Sequence, residues 1–128
     1  MKKLLASIVT GFLFFITFPA DANVNYRLKI VYQDSPKAKA VTWQLTCNPA
    51  GGNHPHPNLA CREIRRAVNP FKKPASDEIC TQIYGGPQQA VVTGVWAGKK
   101  VNRKFTRTDG CEINRWQQLQ VTLSGKSK

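Results

Sequence analysis

Acidic residues are scarce in this chain. Seven aspartates and glutamates stand against 19 lysines and arginines, and there are only two histidines. Each shortage excludes something. The carboxylates beyond the N-terminal segment (Asp34, Glu63, Asp77, Glu78, Asp109 and Glu112) are scattered, with no spacing that suggests a general acid and base pair. His54 and His56 lie in a His-Pro-His-Pro run, neither at zinc-ligand spacing from a cysteine, and the sequence contains no C-x-x-C. No serine sits in a G-x-S-x-G elbow, and there is no phosphate-cradling glycine loop; Gly85-Gly86-Pro87 reads as a turn. The expectation is a protein that is not an enzyme, with no metal and no cofactor.

Also missing is a run of about 20 apolar residues, the length needed to cross a bilayer. The nearest approach is Leu4–Phe18, preceded by Lys2 and Lys3. It is followed by Pro19-Ala20-Asp21-Ala22, whose small Ala20 and Ala22 form an A-x-A cleavage pattern. Residues 1–22 are therefore predicted to be a signal peptide that is removed, leaving residues 23–128 as one domain. Secretion, to the periplasm or the extracellular medium, follows from that reading, with no membrane association after signal cleavage. The cysteines are Cys47, Cys61, Cys80 and Cys111. In an exported protein an even number argues for disulfides, and four cysteines allow three pairings. The formal net charge of +12 favours acidic partners and says nothing about fold.

Val24, Tyr26, Leu28, Ile30 and Tyr32 alternate with Asn25, Arg27 and Lys29, the pattern of a strand with one dry and one wet face. After a polar turn at Asp34-Ser35-Pro36, Val41, Trp43, Leu45 and Cys47 repeat it. Asn48–Pro57, rich in proline, glycine and asparagine, is expected to be loop. Asn58 is placed to cap a helix in which Ala60, Cys61, Ile64, Ala67 and Val68 recur at helical spacing. Phe71–Asp77 reads as a proline-broken loop. Ala90–Trp96 and Lys99–Thr106 form strands joined by a tight turn at Ala97-Gly98. Leu119, Val121 and Leu123 predict a fifth strand over 118–123. The sum suits an α+β two-layer sandwich: a five-stranded antiparallel sheet covered by one or two short helices, with two disulfides. Trp43 and Trp96 are expected in the core. Arg62, Arg65 and Arg66, with Lys72/Lys73, Lys99/Lys100 and Arg103/Lys104, are expected to form a solvated basic surface, and Trp116 is the only aromatic left to accompany it.

Several segments resemble the Streptomyces subtilisin inhibitor family. They are, in order, Leu45-Thr46-Cys47-Asn48-Pro49, Gly52-Asn53-His54-Pro55, Ala60-Cys61 and Cys80-Thr81-Gln82-Ile83-Tyr84. Gly94-Val95-Trp96-Ala97-Gly98-Lys99-Lys100-Val101 and Cys111-Glu112-Ile113-Asn114 complete the array, which spans roughly residues 26–123. The resemblance implies the pairing Cys47–Cys61 and Cys80–Cys111. It implies a secreted serine protease inhibitor that binds subtilisin-like proteases through a substrate-like loop. The reactive bond lies between the second and third residues after the third cysteine, here Gln82–Ile83. Gln82 would fill the primary specificity pocket, preceded by Ile79, Cys80 and Thr81, with Ile83 and Tyr84 on the leaving side. Two positions depart from the pattern. Family members often carry lysine or methionine where Gln82 stands, and Tyr-Asp-Pro where this chain has Tyr84-Gly85-Gly86-Pro87. A homodimer through the sheet is a further implication. The rival expectation keeps the fold but makes the cationic face the working surface of a non-inhibitory secreted binding protein for an anionic partner. Export argues against nucleic acid in that role.

Overall fold

The alternation in residues 26–33 becomes β1 (Tyr26–Gln33), with Leu28, Ile30 and Tyr32 buried and Arg27 and Lys29 exposed. The structure, a computed structural model, describes residues 11, 14–17 and 25–127. The signal-peptide reading of residues 1–22 falls almost entirely outside them. Among the described residues no helix is long and apolar enough to cross a membrane. β2 (Val41–Thr46) and β4 (Gln89–Trp96) pair antiparallel with β1 on either side, and β5 (Lys99–Phe105) extends the sheet beyond β4. A two-residue strand, β3 (Gly51–Gly52), closes the other edge, giving the order β3-β2-β1-β4-β5.

One face of this sheet is covered. Ala60, Cys61 and Ile64 of α1 (Pro57–Arg66) pack on it, and Trp116, Leu119 and Leu123 complete the core with Leu28, Ile30, Leu45, Val92 and Phe105. Burying a leucine, isoleucine or phenylalanine side chain stabilises by about 1.5–3 kcal/mol, so this one layer carries the fold. The Cys47–Cys61 disulfide crosses it, joining the residue after β2 to α1.

The sheet has the expected five strands, but the fifth is not where the alternation placed it. Residues 118–123 are helical: α2 (Gly110–Gln118) is followed by α3 (Gln120–Ser124). The reasons sit at the two helix starts. The Asp109 carboxylate accepts the Glu112 N–H at 2.9 Å and so caps α2. At α3 the Glu63 carboxylate accepts the Val121 and Thr122 N–H groups at 3.1 and 2.8 Å and the Thr122 hydroxyl at 2.8 Å. Thr122, the polar member of the apparent alternation, is fully buried. Both parities face protein there, which a half-wet strand does not allow. The described residues therefore hold three helices rather than one or two.

The segment Asn48–Pro57 is not all loop, since it supplies β3. Nor does Asn58 cap α1. The helix starts one residue earlier at Pro57, whose fixed φ suits the first helical position and whose missing N–H costs nothing there. His54 organises the approach: its Nδ1 accepts the His56 N–H at 3.0 Å, so the proton lies on Nε2, which donates to the Thr122 carbonyl at 3.1 Å. Burial pushes the His54 imidazole below its usual pKa. Val68, placed on the apolar helical stripe by spacing, lies beyond α1 and is exposed. Arg103 leaves the expected solvated surface as well. It is buried, donating to the Lys72 and Lys104 carbonyls and pairing with Glu112 at 3.5 Å.

Candidate functional site

Residues 78–86 form neither helix nor strand, and their apolar side chains point outward. Ile79 is 96% exposed, Ile83 60% and Tyr84 66%. Three large apolar side chains displayed on one short irregular segment mark it as a candidate contact site.

Exposure here does not mean looseness, because the segment is fastened to residues 107–115 on both sides of Gln82–Ile83. Cys80 is joined to Cys111 at the first turn of α2, across a sequence separation of 31. The Thr81 carbonyl accepts the Gly110 N–H at 2.9 Å. Beyond the bond, the Gly85 N–H donates to the Arg107 carbonyl at 2.7 Å. Before it, Glu78 pairs with Arg115, which also reaches Glu112 at 2.8 Å and thereby α2 itself. The hydrogen bond to Glu78 is the main reason the Arg115 guanidinium is held even more firmly protonated than usual. A partly exposed ion pair contributes only about 0.2–1 kcal/mol. The covalent link and the two backbone bonds are the stronger fasteners.

Two glycines permit the close approach. A Cβ on Gly110 would lie 1.9 Å from Thr81 Oγ1, and one on Gly85 would lie 2.7 Å from Ile113 Cγ1 and 3.2 Å from the Arg107 carbonyl oxygen. Gly85, in one of the departures from the family pattern, thus lets the chain lie flat against α2 and the segment that follows β5. The Arg107 side chain supports the same turn from the far side, donating to Gln88 at 2.9 Å.

Of the residues singled out in the sequence, Ile79, Cys80, Thr81, Gln82, Ile83 and Tyr84 come together in this one segment, and Cys47–Cys61 and Cys80–Cys111 are the two disulfides. Sequence reading missed Glu78, Arg107, Gly110 and Arg115, the platform beneath. The Asp109-x-x-Glu112 cap spacing was the available signal that a helix begins beside Cys111. Among the described residues the one grouping of metal-ligand side chains, Glu78 with Cys80 and Cys111, has both sulfurs joined to each other, which leaves a single carboxylate. Trp116 is buried, so it cannot accompany a basic binding surface.

A family model described as subtilisin inhibitor-like matches residues 25–110. The chain belongs to the subtilisin inhibitor-like family. This is a family of protease inhibitors, not of enzymes. Subtilisin inhibitor-like protein 1 of Streptomyces cacaoi is 37% identical over 87 residues, 64% of this chain and 76% of that protein. Kexstatin-1 of Streptomyces platensis is 38% identical over 80 residues, 59% of this chain and about half (53%) of its own length. Among solved structures, Streptomyces caespitosus sermetstatin in complex with Bacillus licheniformis subtilisin is similar at a TM-score of 0.45 and 20% identity, covering 70% of this chain and 89% of that one. Within this subtilisin inhibitor-like chain the fastened segment 78–86 is the only exposed run that unites apolar side chains with a covalent brace among the described residues.

Proposed function

We propose that this protein inhibits serine proteases of the subtilisin type by presenting Ile79–Tyr84 as a substrate, with Gln82–Ile83 as the reactive bond. The observation that carries the reading is the bracing of an exposed, non-helical segment on both sides of that bond. A free peptide gives up about 0.5–1.5 kcal/mol per ordered side chain on entering an enzyme. Here that ordering is completed during folding, so contact energy is not spent on it. Ile79 and Cys80 can pair with the enzyme as an added strand, and apolar Ile79 suits a hydrophobic pocket ahead of the cut. The protease's serine can attack the Gln82 carbonyl. The new amine on Ile83, however, remains close to it, because Cys80 on one side and Gly85 on the other stay attached to the same platform, and resealing competes with hydrolysis.

Gln82 carries no charge, so it forms no ion pair with the aspartate at the base of a trypsin-type pocket. The test is a titration of subtilisin, trypsin and chymotrypsin by the protein and by Gln82→Lys. Near-stoichiometric inhibition of subtilisin and a gain against trypsin in the variant are expected. An unchanged profile would remove residue 82 from the specificity position.

The same reading includes export with removal of residues 1–22, a working domain of residues 23–128, and self-association through the outward face of the sheet. That face carries Val31, Val91 and Val95 but also Arg27, Lys29, Lys100 and Lys104, with no acidic residue in register. Four cations per copy oppose a homodimer, and salt screens them. Sedimentation is expected to show dimer increasing with ionic strength; a dimer that weakens with salt would place the interface elsewhere.

A further inference from the structure

At the opposite end of the sheet from the inhibitory segment lies a groove of about 880 Å³. It is bounded by the end of α1, the turn at Asn69–Lys72 and the β4–β5 hairpin. Its floor is apolar and preformed: Trp96 meets Tyr26 edge-on at 5.0 Å and Phe71 at 6.2 Å, with Val101 beside them. Its rims are cationic: Arg65 on α1, Lys72 on the turn, Lys99 and Lys100 on the hairpin. No acidic residue lines it.

The carboxylates that make contacts make them elsewhere. Asp34 pairs with Lys126, Glu63 and Asp109 hold helix starts, and Glu78 and Glu112 are taken up by Arg115 and Arg103. None of the four rim cations forms an ion pair among the described residues, and the outward sheet cations Arg27, Lys29 and Lys104 are likewise without ion pairs there. The rim is nonetheless held in place, since the Lys72 carbonyl accepts from the buried Arg103 side chain at 3.3 Å and the Lys72 N–H donates to the Asn69 carbonyl at 3.1 Å. Among the described residues, the three non-glycine residues with left-handed backbone, Asn48, Asn69 and Ala97, border the same groove, so the chain adopts a sparsely populated conformation three times around one cleft.

We propose that this groove binds an acidic peptide segment of a partner protein, an apolar side chain entering the floor and flanking carboxylates meeting the four cations. Concavity decides against a bilayer, which is flat and would touch only the rims. An apolar floor decides against a polyanionic glycan, which has nothing to place there. β4 runs for eight residues, roughly 25 Å at strand rise, between the segment and the hairpin rim of the groove, while the Asn69–Lys72 wall lines a second hollow with Glu78, Cys111 and Arg115.

The test uses the disulfide-bonded protein labelled with nitrogen-15 and two capped pentapeptides, Glu-Asp-Leu-Glu-Glu and Glu-Asp-Ser-Glu-Glu, with heparin and phosphatidylglycerol vesicles as further probes. Saturable amide shifts confined to Arg65, Trp96 and Lys99–Val101 are expected, with the leucine peptide bound at least about fivefold more tightly than the serine peptide. Lys99→Glu/Lys100→Glu should weaken the leucine peptide about tenfold or more while leaving thermal midpoint and subtilisin inhibition unchanged. Equal binding of the two peptides, or shifts spread over Arg27, Lys29 and Lys104, would reduce the groove to a general polyanion surface and overturn the proposal. So would vesicle binding that the leucine peptide does not compete away, or no peptide binding at millimolar concentration. The shifts are read without a protease, so this proposal and the inhibitory reading of Gln82–Ile83 fail separately.

Discussion

The two disulfides do different work, although both tie a helix to an element before it. Cys47–Cys61 is inside the core, both residues at most 1% exposed, and it closes a short loop with a sequence separation of 14. Cys80–Cys111 is half-exposed and closes a separation of 31 from within the exposed segment 78–86. In the loop-closure model each removes roughly 3–4 kcal/mol of unfolded-state entropy, the longer loop slightly more. Stability alone therefore does not distinguish them. What distinguishes them is position: one holds layers together, the other holds the exposed segment 78–86 against α2.

The largest expected effect breaks that symmetry directly. Cys80→Ser/Cys111→Ser should weaken subtilisin inhibition by about a hundredfold, the equivalent of freeing three or four side chains that must be ordered again on binding. Cys47→Ala/Cys61→Ala should cost a similar 3–5 kcal/mol of stability, measured by urea unfolding, yet change inhibition by the folded protein less than about tenfold. Equal losses of inhibition in the two would show that position does not matter. Gly85→Ala comes next. Its Cβ cannot fit between Ile113 and the Arg107 carbonyl, so the Gly85 rung should open and inhibition should fall about tenfold with a stability loss of about 1–3 kcal/mol. Arg115→Met removes the ion pair to Glu78 and should weaken inhibition only about two- to fivefold, an effect that shrinks in high salt.

The smallest effect concerns the core end. Folded His54 is held below its ordinary pKa, so the unfolded chain takes up the proton first. The stability that neutral His54 contributes is complete above about pH 6.5 and is lost as the pH falls through its folded value. His54→Gln should flatten the urea midpoint between pH 7 and 5, and the inhibition profile should not follow it. A matching change in inhibition would couple the two ends of the molecule.

Sequence alternation located β1, β2 and β5, valine content marked β4, and helical spacing found α1. It failed where side chains carry no period. Gly51–Gly52 pairs with Leu45 and Thr46 through backbone alone, so nothing in its side chains marks a strand. Leu119–Ser124 alternates in polarity, but the buried Thr122 is satisfied by Glu63, a partner 59 residues away that no local window contains. Arg103 shares parity with buried Val101 and Phe105, and that parity outweighed its charge because Glu112 and two carbonyls accept its protons. The proposed inhibitory segment was visible only through the family resemblance. Its own residues are an unremarkable polar and apolar mixture, and what makes it a site, the platform at residues 107–115, lies some 30 residues further on.

That separation sets an order in time. A chain emerging N-terminus first displays Ile79–Tyr84 before Arg107, Gly110, Cys111 and Arg115 exist to receive it, and at about 5–20 residues per second the delay lasts seconds. Until the last stretch arrives, Leu119 and Leu123 are absent from the core and the exposed segment has no platform to rest on. In the proposed reading, closure of Cys80–Cys111 after export, and not the end of synthesis, is thus the last fastening.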